Sequence, residues 1–82
     1  MSASLPLSSL PPGSAGKVTE IKIPGASRPR LMEMGLLEGE QIQVIGFAPL
    51  GDPMEILLRD YRLSLRRTEA ARVRVKLVST ER

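Results

Sequence analysis

Two short runs past the middle of the chain carry an apolar side chain at every second position, a pattern that leaves little choice of fold. In Met54-Glu55-Ile56-Leu57-Leu58-Arg59 and Tyr61-Arg62-Leu63-Ser64-Leu65-Arg66, every second residue falls on one face of an extended strand. Met54, Ile56 and Leu58, then Tyr61, Leu63 and Leu65, therefore form two half-buried rows. A third apolar arm, Gln41 to Phe47, comes before them, joined to Met54 by the hexapeptide Ala48-Pro49-Leu50-Gly51-Asp52-Pro53. Pro49 and Pro53 fix φ and bias Ala48 and Asp52 toward extended geometry, Gly51 permits a sharp reversal, and the Asp52 side chain can accept bonds from nearby backbone amides. The stretch from Glu40 to Arg67 reads as three strands with a rigid turn between the first two.

The flanking segments extend the same pattern. Met1 to Ser4 is expected to be a mobile start and Ser79 to Arg82 a frayed tail, leaving an ordered part of about 5–78 within a single domain, 1–82. Leu7 and Leu10 lay an extended segment on the core, which Pro11, Pro12 and Gly13 then turn. Gly16 to Ile23 reads as the first full strand, with a bulge to reconcile Val18 with Ile21 and Ile23. Pro24 and Gly25 end it. Ser27 is placed to cap a short helix through Arg28 to Met34, with Pro29 in its first turn and Gly35 as its stop, so that Leu31 and Met34 face the core together and Arg28 and Met32 lie on other faces. Gly39 closes a tight turn from Leu36. Thr68 to Ala71 reads as a turn or one loop of 3₁₀ helix, and a last strand points Val73, Val75 and Leu77 inward. The expectation is a mainly β fold, a small, partly closed antiparallel barrel of five to six short strands with one short inserted helix.

Composition limits the chemistry. A chain of 82 residues has room for one small domain that buries about 60–65% of its unfolded surface. With one Tyr, one Phe and no Trp, the core must be aliphatic. The lack of Cys excludes disulfides and thiolate metal sites, and the lack of His removes the commonest remaining transition-metal ligand. No catalytic constellation emerges: Ser64 is flanked by leucines within a strand, and Asp52 and Glu55 read as a turn former and an outward strand residue. No apolar run is long enough to span a bilayer, and the N-terminus lacks the features of a secretory signal, so a soluble cytoplasmic protein is expected.

Eight of the twelve basic residues in this chain of net charge +3 lie from Arg59 onward. Arg59, Arg62, Arg66, Arg67, Arg72, Arg74 and Lys76 could line one outer face, which suggests a nucleic-acid-binding barrel as an alternative function. Phe47 and Tyr61 are the only aromatic stacking platforms, which argues against it. Direct metal binding by carboxylates such as Glu33, Glu38 and Asp52 is a weaker reading still, since oxygen-only sites rarely select a transition metal.

Three stretches in order, Arg30 to Gly39, Ala48 to Pro53, and Leu63-Ser64-Leu65-Arg66 with Glu69-Ala70, resemble the FeoA family, small cytoplasmic proteins of bacterial ferrous-iron uptake. The likeness runs from about Leu7 to Val78. It departs at Glu38, where a Pro is frequent, and at Pro29. The resemblance implies an SH3-like β-barrel and a non-enzymatic accessory role. It implies binding to the cytoplasmic part of FeoB, the membrane GTPase and iron permease, and thus a place at the inner membrane through that partner without insertion. It implies no cofactor or catalytic residue, and transition-metal binding only as a family attribute. The contact residues expected for the partner are Arg28, Met32, Leu37 and Leu50. Gly35, Gly39, Ala48, Pro49, Gly51, Asp52 and Pro53 form the structural motif, and weak self-association is left open. The likeness extends to SH3-like domains of iron-dependent repressors, whose helix-turn-helix and metal-binding domains this chain is too short to carry.

Overall fold

The computed structural model describes residues 4–23, 25 and 27–78, with Ser27 described in its backbone alone. The expectations for Met1 to Ala3, Pro24, the Ser27 side-chain cap and Ser79 to Arg82 fall outside the described residues.

Six antiparallel strands form one sheet: β1 (Leu5–Pro6), β2 (Ala15–Ile21), β3 (Gln41–Phe47), β4 (Met54–Leu58), β5 (Tyr61–Leu65) and β6 (Val73–Leu77). Their order is β1-β6-β2-β3-β4-β5. The alternation in the sequence fixes the register, because a slip of one residue would turn each apolar row to the outside. Ile56 thus lies opposite Val44 on one side and Leu63 on the other. All three are buried. The expected bulge in β2 is present as a register shift between Val18 and Glu20 against β6, and a second shift lies between Val44 and Gly46 of β3. β2 pairs along its length with β6 but only through Ala15 to Lys17 with β3. Beyond Lys17 the Val18 amide turns to the Glu40 carbonyl at 2.8 Å.

Helix α1 (Ser27–Glu33) fills the gap between β2 and β3, and a single turn, α2 (Arg67–Ala70), links β5 to β6. Leu7 and Leu10 pack on the core, as their spacing implies, from either end of a 3₁₀ turn over Leu7–Ser9. The core is aliphatic throughout, running from Leu7 and Val18 through Leu31, Ile42, Met54, Ile56, Leu58 and Leu65 to Val75. At about 0.8 kcal/mol per buried methylene, these side chains are the main source of stability.

Three inward assignments are corrected. Met34 does not share the core with Leu31; Leu36 does, and it is fully buried while Met34 is exposed. The cause is the way α1 ends. The Leu36 amide reaches back to the Leu31 carbonyl at 3.0 Å and the Gly35 amide to Met32 at 3.0 Å, with Gly35 at φ +96°. This is a Schellman closure, whose residue after the glycine packs against the one five positions back. Tyr61, the first residue of β5, is 41% exposed, with its hydroxyl leaning against Gly35. Leu77 is exposed because it ends β6 opposite Gly16, past the reach of β1, which stops at Val75.

Candidate functional site

The segment between β2 and β3 supplies one side of an open groove of about 220 Å³, lined by Ile21, Arg28, Met32, Leu37 and Glu38. Arg28 is drawn in by a 2.9 Å bond from its Nη1 to the Ile21 carbonyl. Met32 stands one helical turn after it, and Leu37 comes back to the same place because the Gly35 closure reverses the chain. Both are large apolar residues left partly in solvent. Three of the four residues expected at a partner surface are therefore gathered by one structural device. Such a groove can bind an apolar side chain while Arg28 and Glu38 offer charges of both signs at its rim.

Leu50, the fourth, is not among the groove's lining residues. It is 97% exposed at the tip of the β3–β4 loop, which is firmly held. The Gly51 amide donates to Ala48 at 2.7 Å and the Ala48 amide to Pro53 at 2.9 Å. Asp52 does accept from a backbone amide, but a remote one: Arg67 N–H donates to its Oδ1 at 3.1 Å. The Arg67 guanidinium also lies 5.4 Å from the Phe47 ring centroid and reaches the Gly51 carbonyl. Arg67 thus clamps the loop to the start of α2, a contact that no local pattern announces.

A second recess, of about 330 Å³, opens between α1, the loop and α2 and is lined by Arg30, Pro53, Ser64, Leu65, Arg66 and Glu69. Glu69 is buried and holds the recess together. Its Oε2 accepts from Arg30 Nη2 at 3.0 Å and its Oε1 from the Arg66 amide at 3.0 Å. That second bond is the return half of a capping box; Arg66 has no acceptor to supply the other half. Sequence reasoning read Glu69 as a turn residue. Its place three positions after Arg66, at the start of a helix, was the available signal.

The remaining charged groups are spread out. Glu40 accepts from Arg59 Nη2 at 2.6 Å and from its Nε at 3.3 Å, and the hydrogen bonds from that guanidinium hold the Glu40 carboxyl below the usual carboxylate range. Arg74 turns toward Ser4. In the pairing order β5 and β6 are separated by β2, β3 and β4, so the late arginines do not share a strand pair. Glu33, Glu38 and Asp52 do not converge, and no group of three potential metal ligands is found among the described residues.

A family profile described as FeoA domain matches residues 5–77. Over 74 residues, 90% of the chain, the sequence is 39% identical to part of an Fe(2+) transport protein A/Fe(2+) transporter FeoB fusion protein of Porphyromonas gingivalis. The chain spans only 9% of that relative's length. Among solved structures, the FeoA protein of Chlorobium tepidum is 37% identical with a TM-score of 0.87, over 95% of this chain and 74% of that one. A zinc complex of Stenotrophomonas maltophilia FeoA, described as a prokaryotic SH3 domain protein, is 30% identical with a TM-score of 0.71, over 92% of this chain and 88% of the other.

Proposed function

The chain belongs to the FeoA domain family of ferrous-iron transport, and on that footing we propose that it is a non-catalytic accessory protein that docks on the cytoplasmic part of an FeoB-type membrane GTPase to assist or regulate it. The observation that carries the proposal is the Porphyromonas gingivalis relative, in which an FeoA part and an FeoB part are one polypeptide. Joining two proteins raises their effective concentration toward the millimolar range and favours pairs that already interact. The Arg28–Met32–Leu37 groove and the clamped Leu50 supply two apolar features of the kind that anchor interfaces. No helix among the described residues is long and apolar enough to cross a membrane; on this reading the partner would hold the chain at the membrane.

Co-purification of the chain with the transporter from detergent-solubilised membranes, with and without guanine nucleotide, tests this reading. Met32→Glu and Leu37→Glu should each weaken capture by about 5- to 150-fold if they sit at the centre of the contact, the range for losing about 1–3 kcal/mol at an interface. Leu50→Asp should do the same if the loop tip enters the partner. All three side chains are partly or fully exposed, so the fold should survive. Failure of the unaltered chain to bind in every nucleotide state would overturn the proposal.

A further inference from the structure

The sheet has two edges in its pairing order. β1 is two residues long and half proline; β5 has five residues. Leu58 and Tyr61 close a two-residue turn between β4 and β5, so the hydrogen-bonded pairs are Leu58 with Tyr61, Ile56 with Leu63 and Met54 with Leu65. The amides and carbonyls of Arg62 and Ser64 accordingly point away from β4. Among the described residues, no backbone bond outside the sheet reaches either one. The side chains of Arg62, Ser64 and Arg66 share the outer face and are exposed. The Arg30–Glu69 recess lies at the end of this strand and includes Ser64 and Arg66. With Arg30 and Arg66 set against Glu69, its lining keeps one net positive charge.

We propose that the β5 edge takes up an extended acidic segment of a protein partner as a seventh strand, with backbone bonds to Arg62 and Ser64 and one carboxylate of the segment seated between Arg30 and Arg66. Strand addition draws its affinity from the main chain and its specificity from pockets for alternate side chains. Here the recess is the pocket, and arginine, with its planar fork, is suited to carboxylate. A basic residue beside an edge can serve only to deter aggregation, and that accounts for Arg62. It does not account for a recess in which buried Glu69 holds Arg30 beside the same edge. A second copy of this chain is a poor occupant through this edge, because β5 carries Arg62 and no carboxylate of its own to seat between Arg30 and Arg66. This edge is distinct from the Arg28–Met32–Leu37 groove, and its test does not depend on the transporter reading.

The test uses amide NMR spectra of the labelled chain titrated with a short capped peptide of alternating threonine and glutamate, beside the same peptide carrying glutamine for glutamate. The expected result is a shift of Arg62, Ser64, Arg66 and Arg30 with the glutamate peptide, weakened by salt and much smaller with glutamine. Ser64→Pro removes an amide hydrogen that points out of the sheet, so the ladder stays intact, and it should lower affinity about tenfold or more, the equivalent of one lost hydrogen bond to the segment. If that variant does not fold, Arg66→Glu combined with Arg62→Glu should give a loss of the same order. Equal binding of the two peptides overturns the proposal, as does undiminished binding to a folded Ser64→Pro variant. So does a stronger response of these residues to inorganic phosphate or a single-stranded oligonucleotide, or a shift on concentrating the chain alone.

Discussion

Replacing Gly35 with alanine should destabilise the protein more than the same change at Gly39, and the difference has a structural source. Both glycines have positive φ, +96° and +95°, where a non-glycine residue costs about 1–2 kcal/mol. A Cβ at Gly39 would meet nothing within 4 Å, whereas one at Gly35 would lie 2.7 Å from the Tyr61 hydroxyl and 3.6 Å from Leu58 Cδ2. Tyr61 is partly exposed and can swing outward, so relief of the overlap should add no more than about 1 kcal/mol in lost ring contact. The sum at Gly35 is about 1–3 kcal/mol, against a total stability of roughly 4–12 kcal/mol for a chain of this length. At about 4–8 °C per kcal/mol, the melting temperature should fall by roughly 4–24 °C. Urea unfolding of both variants measures the two costs. Tyr61→Phe removes the hydroxyl, and in that background the Gly35→Ala cost should drop toward that of Gly39→Ala. A Gly35→Ala loss below about 0.5 kcal/mol, or a larger loss at Gly39, would refute the reasoning.

Two further predictions concern charge. Arg59 lowers the Glu40 pKa in the folded state, so this pair stabilises the fold above the unfolded carboxylate value near 4.5, and its contribution is lost as pH falls through the lowered folded value; Glu40→Gln should flatten that part of an acid-unfolding curve, and an unchanged curve would exclude the pair as its source. Glu69→Ala leaves the Arg66 amide without its acceptor and removes the partner of Arg30, which should cost about 1.5–3 kcal/mol in urea unfolding, while Glu69→Gln, which keeps a carbonyl acceptor, should cost less.

The strands were legible because a period of two survives whatever lies around them. Met54, Ile56 and Leu58 are buried where the alternation puts them. The helix end was less legible: Leu31 and Met34 obey helical spacing, but the chain stops being a helix at Gly35, and Leu36 takes the place in the core. The pairing of apolar residues around a glycine, Leu31 with Leu36, was the readable sign of this. In the candidate site, Arg28, Met32 and Leu37 could be named singly, but their meeting depends on Ile21 at the end of β2 and on the Gly35 reversal together. The Arg67 clamp on Asp52 spans 15 residues and could not be read locally. Nor could the Arg30–Glu69 contact, which spans 39.

The register of β1 against β6 also sets how the domain answers to force. Leu5 lies opposite Val75 and Pro6 opposite Arg74, so in this antiparallel ladder the chain before Leu5 and the chain after Leu77 leave from the same end. Tension between the two ends therefore loads the β1–β6 rungs one at a time, as in a zipper, instead of shearing them together. With only two residues, β1 should peel first and at low force. Its departure would free one edge of β6, while the β3–β4–β5 meander, which neither end pulls on directly, stayed folded.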